Sequence, residues 1–142
     1  MMSEKKDYHK FRAHIIHPSD RIDRLENLVT FGMPDVNYCF DGVEGWIEMK
    51  SPVEPKRNTT ALFSGNHKFS QNQKNWFIRQ LKAGGLAFAL ICTDKRWILI
   101  NANTVENANE MTVSELLQKS VWCSDSKSIY WESLRKALRN EI

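Results

Sequence analysis

Cysteine is scarce: the chain of 142 residues carries only Cys39, Cys92 and Cys123. No two of them form a C-x-x-C pair, so a disulfide framework is not expected. Cys39 and Cys92 sit in strand-like apolar runs and read as small buried hydrophobes in a reducing compartment. No apolar run is long enough to span a membrane, and the start, MMSEKKDYHK, is too polar for a signal peptide. The expectation is an intracellular, cytoplasmic protein. There is no Walker motif, no glycine-rich dinucleotide fingerprint and no Ser-His-Asp arrangement that spacing supports. Repeats, low-complexity tracts and a domain linker are also missing, so residues 1–142 read as one domain.

What is present is an ordinary globular balance, 42% apolar and 26% charged residues, with a formal net charge of +3. That mildly basic surplus permits a nucleic-acid partner without requiring one. Residues 1–13 are polar and basic and read as loosely ordered. Ser19-Asp20 caps a helix over RIDRLENLV, with Ile22, Leu25, Leu28 and Val29 on one side, although that run can also bend into a strand near its end. VNYCF (36–40) and GWIEMK (45–50) alternate as strands and form a hairpin about Asp41-Gly42. The segment 52–69 is a long loop rich in Pro, Gly, Asn and basic residues. Ser70-Gln-Asn-Gln73 fits a capping box that opens a helix, stopped by Gly84-Gly85. LAFALIC (86–92) is a central strand covered on both faces, and RWILIN (96–101) follows it. A second capping box, Thr112 to Glu115, opens a helix to about Lys119, and a last amphipathic helix covers roughly 127–139. The order implies an α/β fold: a mixed central sheet flanked by helices, with its core at about 20–101 and C-terminal helices over 112–139.

One strand carries charges where apolar residues belong. In WIEMK, Trp46, Glu48 and Lys50 share one face, and Ile47 and Met49 share the other. Glu48 and Lys50 are about 6.5 Å apart along such a strand. The hairpin folds Asp35, at the start of the first strand, back beside them. Two carboxylates in one place repel unless a cation lies between them, and oxygen ligands favour Mg²⁺ or Mn²⁺. An ammonium beside such an ion completes the groups that phosphodiester hydrolysis requires. The bland alternative is a surface salt bridge on an edge strand, with Asp35 capping a turn.

In this order, Gly32-Met-Pro-Asp35, Glu48-Met-Lys50, Gln73-Lys-Asn-Trp76 and Ala83-Gly84-Gly85-Leu86 resemble the PD-(D/E)xK nuclease superfamily, and most closely its VRR-NUC type. That type comprises small, phage-like nucleases akin to Holliday junction resolvases. The resemblance covers roughly residues 24–101. It implies a restriction-endonuclease-like core and a metal-dependent DNA endonuclease that works as a homodimer on branched DNA. A flap, nick or linear-duplex nuclease, or an inactive DNA-binding or inhibitor module of the same fold, are the alternatives. By the same resemblance, Asp35, Glu48 and the backbone carbonyl of Met49 hold the metal, and Lys50 is the catalytic lysine. Glu26 matches a further acid before the PD strand, with a solvent-facing helix charge as the competing reading. Gln73 matches the helix glutamine of the family, and it is also the capping-box residue.

Lys56, Arg57, His67 and Lys68 in the long loop read as a DNA-contacting flap, or else as a solvated loop. A C-terminal helix or the apolar face of the hairpin is the expected dimer interface. The pair His14 and His17 reads as a polar surface pair, and Trp76, Trp122, Tyr130 and Trp131 as core rather than base-stacking groups.

Overall fold

The computed structural model describes residues 3–25 and 31–141. Its elements are α1 (Glu4–Ile15), β1 (Arg21–Arg24), β2 (Val36–Phe40), β3 (Val43–Lys50), α2 (Gln71–Lys82), β4 (Ala87–Cys92) and β5 (Arg96–Asn101), followed by α3 (Ala102–Val105), α4 (Val113–Lys119), β6 (Trp122–Asp125) and α5 (Trp131–Leu138). The six strands lie side by side in sequence order. All neighbours are antiparallel except β3 and β4, which run parallel with α2 as the crossover. Parallel neighbours need such a crossover, and a helix supplies it.

Strand alternation sorts the core into two layers. Ile47 and Met49 of β3, Phe88 and Leu90 of β4, and Trp97 and Leu99 of β5 face α1 and α5. Ala89, Ile91, Ile98 and Ile100 face α2, α3 and α4. β4 is buried along its whole length, as its continuous apolar run requires.

Four elements differ from the sequence reading. Residues 4–15 are a helix rather than a loose start: Ser3 caps it, and Tyr8, Phe11 and Ile15 form an i, i+3, i+7 stripe buried on the sheet. Residues 21–24 are a strand, not the start of a helix. Ile22 is buried opposite Tyr38, while Arg21 and Asp23 point outward and pair with each other at 2.7 Å. Asp20 is no helix cap. Its side chain is 1% exposed and takes the guanidinium of Arg135 and the N–H groups of His17 and Asp41. Residues 122–125 form the edge strand β6, so the last helix starts at Trp131 rather than near 127.

The segment 52–69 is not a free flap. Leu62, Phe63 and Phe69 are buried against Phe77 of α2, and Asn109 clasps both backbone groups of Phe69. The apolar face of the β2–β3 hairpin, expected as an interface, is already covered by α1 and α5. All three cysteines are free, but Cys39 is only half-buried and Cys123 is exposed. Among the described residues, no helix is long and apolar enough to cross a membrane.

Candidate active site

The hairpin register sets Val36 opposite Ile47, which brings Asp35 to the end of β3 beside Glu48. Glu48 and Lys50 are 8% and 5% exposed, and β3 lies between β2 and β4. The surface salt bridge on an edge strand is thereby excluded. Lys50 Nζ and Glu48 Oε2 stand 4.0 Å apart in the interior. A buried pair of this kind persists only where other partners complete it.

Gln73 is the principal partner. Its amide nitrogen donates to Glu48 Oε2 at 3.1 Å, and its oxygen accepts from Lys50 Nζ at 3.3 Å. The same oxygen accepts the backbone N–H of Ser70 at 2.9 Å, while the Ser70 hydroxyl accepts the N–H of Gln73. The capping box therefore exists as the sequence implies, and the same side chain reaches the site. Lys50 Nζ also donates to the Lys68 carbonyl at 3.3 Å and lies 4.9 Å from the centre of the Phe69 ring. The packed segment 62–69 thus serves as a wall of the site.

The electrostatics of the site are set by burial and by the closeness of its two carboxyl groups. Burial, and then the neighbouring Asp35 charge, push the Glu48 carboxyl up to about 8, with Lys50 pulling against that rise. Burial also raises Asp35, while Arg24, 3.7 Å from its Oδ2, and nearby backbone N–H groups favour its charged form. Asp35 Oδ1 is buried and has no hydrogen-bond partner among the described residues. A buried carboxylate oxygen with nothing to accept from is costly, and a hard cation would satisfy it. The pocket in front of it, about 340 Å³, is lined by Leu25, Phe31, Asp35, Glu48, Asn72 and Gln73, among others.

Among the described residues, no three His, Cys, Asp or Glu side chains form a ready-made cage. Two carboxylates with water suit Mg²⁺, which keeps much of its hydration shell. Met49 stands between Glu48 and Lys50 with its side chain buried on the opposite face, so only its backbone belongs to this side of the sheet. Glu26 lies outside the described residues.

The structure adds one acid that the motifs did not reveal. Glu4, in the first turn of α1, is near enough to raise the pKa of both Asp35 and Glu48. One turn on, buried Asp7 accepts the Ser51 hydroxyl at 2.6 Å, which fastens α1 to the residue after Lys50. No sequence signal pointed to Glu4, because its approach depends on that contact across the fold.

The four basic residues of the long segment fall in two places. Half-buried His67 precedes exposed Lys68, whose backbone carbonyl accepts from Lys50. Lys56 and Arg57 instead line a cavity of about 290 Å³ with Lys95 and Arg96. His14 stacks on Trp131 at 4.9 Å and His17 meets Glu132 at 3.5 Å, so this pair joins α1 to α5 rather than binding metal. A further cavity of about 480 Å³, lined by Leu86, Phe88, Asn101 and Val121, opens at the other end of β4, away from these charges.

A mixed sheet with one parallel pair and helices on both faces makes this an α/β fold, with acidic residues at the end of the β2–β3 hairpin. Among solved structures, the chain is similar to Hjc of Archaeoglobus fulgidus, a Holliday junction resolvase from an archaeal hyperthermophile. The TM-score is 0.54 at 13% sequence identity, over 82% of this chain and 91% of that one. At that identity the likeness establishes the fold. No protein-family model matches the chain, and no curated protein does so significantly.

Proposed function

We propose that the chain is a divalent-metal-dependent DNA endonuclease, selective for branched DNA and active as a homodimer. The observation that carries this reading is that Asp35, Glu48 and Gln73 line one pocket, with Lys50 held against Glu48 and Gln73. The resolvase-like fold around them supports it. The finer assignment to the VRR-NUC type rests on the order of the four sequence segments.

In this reading Asp35, Glu48 and the Met49 carbonyl hold Mg²⁺ or Mn²⁺, with Glu4 adding negative charge nearby. When bound, the ion neutralises charge on the phosphate and makes an attacking water more acidic. Lys50 faces the phosphate and stabilises the negative charge that develops on it. Gln73 fixes the direction of both Glu48 and Lys50, so neither has to reorganise during the reaction. Lys68, Lys56 and Arg57 bind backbone phosphates without reading sequence. A dimer follows from the substrate, because two symmetric cuts require two sites.

The test is cleavage of a labelled four-way junction and a matched linear duplex in Mg²⁺, in Mn²⁺ and in EDTA. Paired cuts in the junction that need metal are the expected result. Lys50→Met should lower the rate by at least about 10²-fold while binding persists. Equal cutting of both substrates would remove the preference for branches. No cutting under any condition would remove the nuclease reading.

A further inference from the structure

Phe31 is 75% exposed, yet it stands on the rim of the pocket that contains Asp35 and Glu48. Leu25, 36% exposed, lines the same pocket, so the acidic floor has an apolar lip. Single exposed apolar residues are common on protein surfaces. This one differs in how it is held. The next residue, Gly32, has φ +82, and a Cβ there would lie 2.1 Å from the Asn72 carbonyl oxygen. Only glycine permits that approach. Pro34, buried two residues further on, fixes the chain again before β2. The backbone under Phe31 is therefore seated on the first turn of α2, the turn that carries Gln73.

An aromatic side chain whose neighbouring backbone is anchored at the rim of this pocket has a definite use. In an intact duplex the base faces are stacked and hidden, and a ring outside the backbone finds nothing to cover. Where the stack is interrupted, at the centre of a junction or at a flap, a base face is free, and every base has a face that an aromatic side chain can stack on. We propose that Phe31 selects the substrate of this site by stacking on a base face left free next to the scissile phosphate. The inference rests on the nuclease reading for the phosphate, but not for the stacking. It assigns the preference for branched DNA to one side chain rather than to the spacing of two protomers.

The experiment is equilibrium binding in EDTA, where nothing is cut. The full-length chain and its Phe31→Ala, Phe31→Leu and Phe31→Trp variants are titrated against a duplex bearing a single-stranded branch and against a matched linear duplex. Phe31→Ala and Phe31→Leu should lose about tenfold on the branched DNA, the size of one aromatic–base stack, and almost nothing on the linear one. Phe31→Trp should keep the preference, which a merely apolar contact would not require. Equal losses on both DNAs, or no loss on either, would overturn the proposal. So would a change of oligomeric state in Phe31→Ala with selectivity intact, since the ring would then belong to a protein contact. Selective binding by a wild type that never cuts would refute the nuclease reading and leave the stacking in place. Wild type that binds neither DNA would overturn both.

Discussion

Lys50 and Gln73 meet at 3.3 Å, ammonium to side-chain oxygen, and the contact ties a strand to the helix that follows it. Replacing Gln73 by Glu separates the two duties of the residue. Glutamate still caps the first turn of α2 and suits a helix start. It no longer donates to Glu48, and it adds a carboxylate facing one. The expectation is a nearly unchanged melting temperature with cleavage down by about 10²-fold, the cost of a misplaced catalytic group. Gln73→Ala should in addition lose about 1 kcal/mol of stability, since the cap goes too. Thermal melts beside single-turnover rates distinguish the two effects.

Glu48 sets a pH dependence of stability. Its folded pKa is about 8, well above the ordinary carboxyl value. Between those values the folded chain holds a proton that the unfolded chain has released, so stability falls as pH rises through the window and levels off above it. In metal-free protein the melting temperature should decline from about pH 5 to about pH 8. Glu48→Gln should flatten that slope. A flat profile in the wild type would mean that Glu48 is already ionised in the fold.

Asp35 should report metal binding without any cleavage. In EDTA burial disfavours the Asp35 carboxylate, so Asp35→Asn should melt higher than wild type. Mg²⁺ or Mn²⁺ should raise the wild-type melting temperature, since an ion at 100 times its Kd adds about 2.7 kcal/mol. The variant should show little of that rise. Differential scanning fluorimetry across a metal titration measures both, and an equal rise in both proteins would remove Asp35 from the ligand set.

A second buried ion pair is structural. Arg135 closes on Asp20 and holds its carboxyl well below the usual carboxylate range. A depressed pKa contributes stability above the ordinary carboxyl value, and that contribution is lost as pH falls below it. Arg135→Met strands a charge that is 1% exposed, and should cost about 3–5 kcal/mol at neutral pH. Asp20→Asn should cost less and weaken the acid sensitivity. Denaturant melts from pH 7 down to pH 3 provide the comparison.

How much of this was legible depended on the range of the forces involved. Strand alternation is local, so WIEMK alone placed Glu48 and Lys50 on one face, and the hairpin turn brought Asp35 to them. The capping box at Ser70 and Gln73 is equally local, and it located the start of α2 to the residue. β1 was misread because Ile22, Leu25, Leu28 and Val29 have helical spacing in the sequence, and only pairing with β2 makes residues 21–24 extended. α1 was missed because charged residues surround its three core side chains and because Asp7 is buried through a contact with Ser51. The loop 52–69 looked free because its apolar residues, Leu62, Phe63 and Phe69, are scattered among polar ones. Their partners lie on α2, α3 and α4.

The sheet is a meander broken once, where β3 and β4 run parallel across α2. Every other strand pair closes between chain neighbours and can form early. The parallel pair must wait for a loop that contains the whole of 51–86, and closing such a loop is slow. Glu48 and Lys50 lie before that loop and Gln73 lies within it. The chemistry of the site and the slowest contact of the fold are therefore completed in the same event. A chain in which β3 and β4 have not yet paired therefore lacks the pocket that Asp35, Glu48 and Gln73 line.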